Sequence, residues 1–254
     1  MKLHISKFGQ GPNLALLHGW GSSSKIWQPL IAQLSNTFQV WCVDLPGHGD
    51  SHAVKWDCSS EQGVEMLANS LPQTFSIVGW SLGGLAAQLL AKQFPQRITK
   101  LMLISSTPKF VASRQWPHGM QENTFINFSQ QYLKAPQQTL QKFCALQVLN
   151  SNSAKQTLSV LVRALSNQRK HTEKIHWGLR WLEEIDLRTN AILRAFPIDL
   201  LHGESDKVSS IDAAEQMAAS WENTKLARVK HAGHAPFISH PNDFLQWIER
   251  GIQH

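Results

Sequence analysis

One serine stands between two glycines in Gly79-Trp80-Ser81-Leu82-Gly83, directly after the apolar run "TFSIV" and directly before a Leu/Ala-rich stretch. A strand that ends in such a turn and passes straight into a helix lifts the serine hydroxyl clear of the backbone as a nucleophile. The glycines admit the close approach of strand and helix. The helix that begins near Leu82 aims its first N–H groups and its positive dipole end at the same spot. A serine hydroxyl is weak by itself and needs a base held by a third group. Asp206 in "LHGESDKV" and His234 in "KHAGHAPFISHP" each follow a strand-like run and fit those roles. Asp199 and Glu204 compete for the place of the acid, and His231 and His240 for that of the base.

The chemistry implied is acyl transfer. Ser81 would attack a carbonyl, His234 would take its proton and return it to the leaving group, and Asp206 would hold the imidazole in one tautomer. The oxyanion that forms needs preorganised donors. The Leu82 N–H is one candidate. The Trp20 N–H is the second, turned inward by His18-Gly19 in "LLHGWGSSS", with the Trp20 indole over the acyl site. Neither "GWG" nor "GQG" completes a phosphate-binding loop. The twelve histidines include no pair at i, i+4 joined by a carboxylate or cysteine in a ligand arrangement, so no metal and no cofactor is expected. Cys42, Cys58 and Cys144 are odd in number, lack metal-ligand spacing and read as reduced thiols.

These residues need elements to position them. "NLALLHG" (13–19), "FQVWCVD" (38–44), "TFSIVGW" (74–80) and "LMLISS" (101–106) suit strands buried on both faces of a parallel sheet. Helical stretches lie between them at Lys25–Ser35, Ser59–Leu71 and Gly83–Phe94, the last stopped by Pro95. From 109 to 195 the strands cease and helical patterns follow one another: "NTFINFSQQYLK", "QQTLQKFCALQVL", "AKQTLSVLVRALSN" and "TEKIHWGLRWLEEIDL". The alternation then resumes with strands at 196–203 and 224–230 and helices near Ile211–Trp221 and Pro241–Ile252. The expected fold is an α/β core over 1–108 and 196–254, with a mostly parallel central sheet flanked by helices, interrupted by a helical lid over 109–195.

The composition, 42% hydrophobic and 17% charged over 254 residues, excludes a disordered chain, and no apolar run approaches a membrane span. The opening residues do not read as a signal peptide, so a cytoplasmic location is expected. The net charge of +6 is concentrated: Lys109 to Arg194 holds 12 Lys/Arg against 5 Asp/Glu, and the rest is near neutral. Long-range attraction of this kind suits an acidic protein or substrate carrier. No nucleic-acid motif or dense basic run is present, so no nucleic-acid partner is expected.

With "LLHGWG", "DLPGHGDS", "VGWSLGG", "HGESD" and "GHAPFISHP", the chain resembles the α/β-hydrolase superfamily over essentially its whole length. Within it, "GWSLGGLAA", "FCALQ" and "HAPFISHP" resemble the biotin-synthesis carboxylesterases that remove the methyl group from pimeloyl-acyl carrier protein methyl ester. That resemblance implies a serine esterase whose substrate contacts are Trp20, Ser81, Leu82, His234 and the stretch Phe143, Cys144, Ala145, Leu146 and Gln147. On spacing alone, Phe143 and Leu146 read equally as helix core. The resemblance also implies a lid whose cations receive an acidic carrier; Lys134, Lys142, Lys155, Arg163, Arg169 and Lys170 are available. A monomer is expected. Dehalogenases and epoxide hydrolases of this fold carry aspartate where Ser81 stands, so serine favours ester, thioester or carbon–carbon hydrolysis. A general short-chain esterase and a carbon–carbon hydrolase keep the same chemistry; a non-catalytic ligand-binding protein is the alternative of another class.

Overall fold

The computed structural model describes residues 2–56, 59–165 and 172–252. Seven strands form one sheet among the described residues: β1 (Ile5–Phe8), β2 (Asn13–Leu17), β3 (Gln39–Val43), β4 (Phe75–Trp80), β5 (Ile98–Ile104), β6 (Ile198–Gly203) and β7 (Thr224–Val229). Their order is β1-β3-β2-β4-β5-β6-β7, and every pairing is parallel except that of β1 with β3. Central strands β4 and β6 are buried at all six positions, as the continuous apolar runs predict. β1 is the one strand that the sequence pattern does not announce. It lies at the sheet edge, half-buried or exposed throughout, so "ISKF" needs no apolar run.

The chain leaves β2 toward β3 on one side and returns past β2 to β4 on the other. The loops after β2 and β4 diverge at this reversal, which opens a crevice at the C-terminal ends of the two strands. Ser81 follows β4 and Trp20 follows the end of β2, so both candidates border it.

Three helices belong to the first half: α1 (Ile31–Leu34), α2 (Ser60–Ser70) and α3 (Leu82–Gln93). The helix expected over Lys25–Ser35 is mostly a 3-10 segment, Ser24–Leu30, with only α1 beyond it. Pro29 lies inside that segment; it lacks an N–H and disfavours α geometry in the residue before it. α2 starts on a capping box in which Ser59 and Gln62 satisfy each other's backbone N–H groups. Between β5 and β6 come α4 (Glu122–Lys134), α5 (Pro136–Gln147), α6 (Ala154–Ala164), α7 (His176–Glu184) and α8 (Ala191–Ala195), which add no strand to the sheet. α7 and α8 pack on α3, and α6 packs on the 3-10 segment. The last half adds α9 (Ile211–Ser220), α10 (Pro236–Ser239) and α11 (Pro241–Ile252).

Backbones pack closely where α3 crosses β4 and β2. A methyl group on Gly79 would meet the Gly83 carbonyl and lie 2.5 Å from the Gly84 Cα, and one on Gly83 would meet the Leu17 carbonyl and lie 2.6 Å from that of His18. These neighbours are backbone and cannot swing away. Gly79→Ala should therefore lower stability by about 1–3 kcal/mol, read as a fall in the urea midpoint at unchanged m-value; an unchanged midpoint would mean that the crossing tolerates a side chain.

Candidate active site

Ser81 joins β4 to α3 with φ 56° and ψ −118°, a backbone that a residue with a Cβ rarely adopts. Such strain costs of order 1–3 kcal/mol and persists only where the surroundings over-determine it. Here β5 and the loop after it supply the restraint. The Ser81 N–H donates to the Ile104 carbonyl at 2.9 Å, and the Ser106 hydroxyl donates to the Ser81 carbonyl at 2.9 Å. The Gly84 and Leu85 N–H groups close on that same carbonyl at 2.9 and 3.1 Å.

Asp206 and His234 meet. His234 Nδ1 donates to Asp206 Oδ2 at 2.8 Å, with both side chains at most 1% exposed. The other carboxylate oxygen accepts the N–H groups of Val208 at 2.8 Å and Ser209 at 3.0 Å, which fixes the plane of the acid. His234 is held in turn: its N–H donates to the Gln147 carbonyl at 2.8 Å, and its own carbonyl accepts the Trp80 indole N–H at 2.7 Å. Its second ring nitrogen, Nε2, is buried without a hydrogen-bond partner among the described residues. The competing candidates lie elsewhere. Asp199 pairs with Lys100 at 2.9 Å, Glu204 and His231 are exposed, and His240 bonds the Ser239 hydroxyl at 2.8 Å.

A third residue of this cluster escaped the sequence reading. His202 Nε2 lies 3.4 Å from Asp206 Oδ2 and donates to the Ser209 carbonyl at 2.8 Å. It stands on β6, four residues before Asp206, so its place in the "LHGESD" stretch was the available signal. Burial alone would raise the Asp206 pKa. The charge of His234 and hydrogen bonds from His202 and His234 oppose that and hold the carboxyl below the ordinary carboxylate range.

Gly19 lies against Trp80 and Ser81: a methyl group there would lie 3.1 Å from the Trp80 ring and 3.3 Å from the Ser81 Cβ. Among the described residues, neither the Trp20 N–H nor the Leu82 N–H donates to any group, which leaves both able to take an oxyanion. The Trp20 indole N–H is tied to the Ile175 carbonyl at 3.0 Å, and its ring packs edge-on against Phe128, Tyr132 and Phe143 at 4.8–5.6 Å between centroids. On α5, Phe143 and Leu146 are half-buried, Cys144 and Gln147 are buried, and Ala145 faces solvent. Ser81, Leu82, Trp20 and His234 are all buried beneath these helices.

Other chemistry finds less support. His4, Asp44 and Asp50 bring three ligating groups together among the described residues, but the Asp44 oxygens already accept the Ser24 and Asp50 N–H groups at 2.6 and 2.9 Å. Cys42 and Cys144 are buried, and burial, with Asp44 nearby, pushes Cys42 up to about 12. Cys58 lies outside the described residues.

A family model described as "alpha/beta hydrolase fold" matches residues 12–241. A protein of Nitrosomonas europaea named pimeloyl-[acyl-carrier protein] methyl ester esterase is 38% identical over 97% of this chain and 98% of its own length. A protein of the same name from Chromobacterium violaceum is 35% identical over 100% of this chain and 99% of its own. Among solved structures, a bromoperoxidase from Bacillus anthracis superposes with TM-score 0.87 at 18% identity, over 99% of this chain and 95% of that one. At that identity the likeness is one of fold alone.

The depressed Asp206 titration has a consequence for stability. The folded carboxyl titrates below its ordinary value of 3.8, so on acidification the unfolded chain binds the proton first. Its stabilising contribution is complete above about pH 5 and is lost as pH falls through 3.8 toward the lower folded value. Urea midpoints measured from pH 6 to pH 3 should decline, and Asp206→Asn should flatten part of that decline. Parallel curves for the two proteins would remove Asp206 from the account.

Proposed function

This chain belongs to the α/β-hydrolase family, and within it we propose a serine carboxylesterase that hydrolyses the methyl ester of pimeloyl-acyl carrier protein, a step of biotin synthesis. One observation carries the reading: the buried Asp206–His234 bond engages Nδ1 and leaves Nε2 unpartnered among the described residues, while the His234 carbonyl is tied to Trp80, the residue before Ser81 in its strained strand-to-helix turn. The names of relatives matched over nearly the full chain supply the substrate.

In this mechanism Ser81 Oγ attacks the ester carbonyl while His234 Nε2 accepts its proton. The Trp20 and Leu82 N–H groups receive the oxyanion, and Asp206 stabilises the imidazolium. Collapse breaks the bond to the methoxy oxygen, and the imidazolium protonates it, so methanol leaves. Water, deprotonated by His234, then attacks the acyl-enzyme; Ser81 regains its proton and a free carboxylate departs. The thioester to the carrier has to survive, so the substrate must enter with its distal ester foremost. The aromatic group of Trp20, Phe128, Tyr132 and Phe143 is suited to the apolar acyl chain.

Residues 109–195 act as a cap in this reading, and its excess of basic residues attracts an acidic carrier. Lys134, Lys142, Lys155 and Arg163 are exposed on α4, α5 and α6, whereas Arg169 and Lys170 lie outside the described residues. No helix among the described residues is long and apolar enough to cross a membrane. A cytoplasmic monomer working without cofactor, metal or nucleic acid completes the proposal.

The direct test incubates acyl carrier protein loaded with pimeloyl methyl ester and weighs it by mass spectrometry. The carrier should lose one methylene mass with its thioester intact, and Ser81→Ala should slow this by about a thousandfold or more. Turnover of a simple aryl ester with the carrier untouched would instead favour a general esterase; near-normal turnover by Ser81→Ala would remove the serine mechanism itself. Reversing Lys134, Lys142, Lys155 and Arg163 together to Glu should raise KM for the carrier-bound ester by about tenfold or more while sparing a small neutral ester. Equal effects on both substrates would count against docking at these cations.

A further inference from the structure

Two histidines outside the Ser81, Asp206 and His234 set are fully buried side by side, with ring centroids 5.1 Å apart: His18 after β2 and His48 after β3. Their hydrogen bonds identify the tautomers. The Gly21 N–H can only donate, and it lies 3.2 Å from His48 Nε2, so that nitrogen accepts. The Pro46 carbonyl can only accept, and it lies 3.0 Å from His48 Nδ1, so that nitrogen carries the proton. The same logic holds for His18, where the Leu45 N–H donates to Nε2 at 3.0 Å and Nδ1 donates to the Gly19 carbonyl at 2.8 Å. Burial first of all keeps both rings below the ordinary histidine range. For His48 the neighbouring His18 adds to this, while Asp44 and the Gly19 carbonyl partly oppose it for His18. The ring of Trp177 closes edge-on over His48 at 5.9 Å.

The two rings cross-link the turns. His18, in the turn after β2, reaches into the turn after β3, and His48 reaches back. What they hold is the backbone on either side of Trp20. The Gly19 carbonyl and the Trp20 N–H belong to one planar trans peptide and point in opposite directions. Pinning that carbonyl with His18 Nδ1–H therefore fixes where the Trp20 N–H is aimed. The next peptide carries the Gly21 N–H, which His48 Nε2 holds. Gly21 has φ 71°, and a side chain there would lie 2.6 Å from Leu140, so nothing bulkier can stiffen the turn from within. Within the turn the Ser22 N–H also donates to the Gly19 carbonyl, at 3.2 Å, and the two rings add the restraints at Gly19 and Gly21 from outside it.

We propose that His48, acting with His18, is a positioning residue for the oxyanion donor: together they hold two consecutive peptides so that the Trp20 N–H faces the place of the acyl oxygen of a substrate at Ser81. The proposal rests on the serine-esterase reading given above. Neither ring contacts substrate in it, and both act through the backbone as neutral Nδ1–H imidazoles.

The test compares the whole purified chain with three variants, on a small aryl ester and on the carrier-bound ester. His48→Leu removes the acceptor for the Gly21 N–H. His48→Asn is too short to reach that group but keeps a donor for Pro46, and it serves where the leucine variant does not fold. His48→Gln offers Oε1 to the Gly21 N–H. Both Leu and Asn should lower kcat by about ten- to a hundredfold, with KM within about twofold, and Gln should restore most of the loss. A kcat unchanged in the folded Leu or Asn variant would overturn the proposal, and so would an equal loss in Gln and Asn. Ser81→Ala, run alongside, separates the two ideas. If it stays active, the esterase reading fails. If it is dead while His48→Asn keeps its kcat, only the positioning role falls.

Discussion

The crossing of α3 over β4 is the constraint on which the rest of the site depends. Gly79, Gly83 and Gly84 let two backbones touch, and the turn between them forces Ser81 to φ 56°. A residue in that region would relax if left to itself. It does not, because the Ile104 carbonyl and the Ser106 hydroxyl hold its N–H and its carbonyl from the neighbouring strand. The sheet thus transmits its rigidity directly to Ser81, and the N-terminus of α3 is delivered to the same place.

Buried polar groups in folded proteins nearly always find partners. Around Ser81 the pattern of those that do not is informative. Asp206 receives two backbone N–H groups and His234 Nδ1, with His202 close by, and His234 is tied at its N–H and at its carbonyl. His234 Nε2 and the N–H groups of Trp20 and Leu82 make no hydrogen bond among the described residues. These three, a ring nitrogen and two N–H donors, are of the kinds that acyl transfer on Ser81 would use under the proposed function. Holding everything else rigid is what makes leaving these open useful, because no reorganisation is then needed when charge develops.

The helices between β5 and β6 complete the enclosure. Gln147, at the end of α5, supplies the carbonyl that holds the His234 N–H, and Ile175 supplies the one that holds the Trp20 indole. A methyl group on Gly178 of α7 would lie 2.7 Å from both the Trp20 ring and the Leu82 side chain. The inserted segment therefore does more than cover the crevice. Its backbone carbonyls hold two of the candidate residues, His234 and Trp20.

Much of this was legible in the residues alone. Continuous apolar runs bounded by turn residues mark buried strands, and β2 to β6 follow them closely, whereas β7, at the other sheet edge, is mostly half-buried or exposed. Ser81 was readable because a glycine pair, a strand and a helix coincide there. Asp206 and His234 were readable because each follows a strand, where a loop over the sheet edge begins. Other features were not. β1 pairs at an edge and needs no apolar signature, and Pro29 turned an expected α-helix into a 3-10 segment. The choice of Asp206 over Asp199 and Glu204 is a matter of which carboxylate reaches His234, and the roles of His202, His18 and His48 depend on partners up to 27 residues away in the chain. Local sequence determines which backbone shapes are affordable and which faces must be buried. Only the tertiary structure determines which polar atoms come within hydrogen-bond reach, since that depends on how separate strands are brought into register.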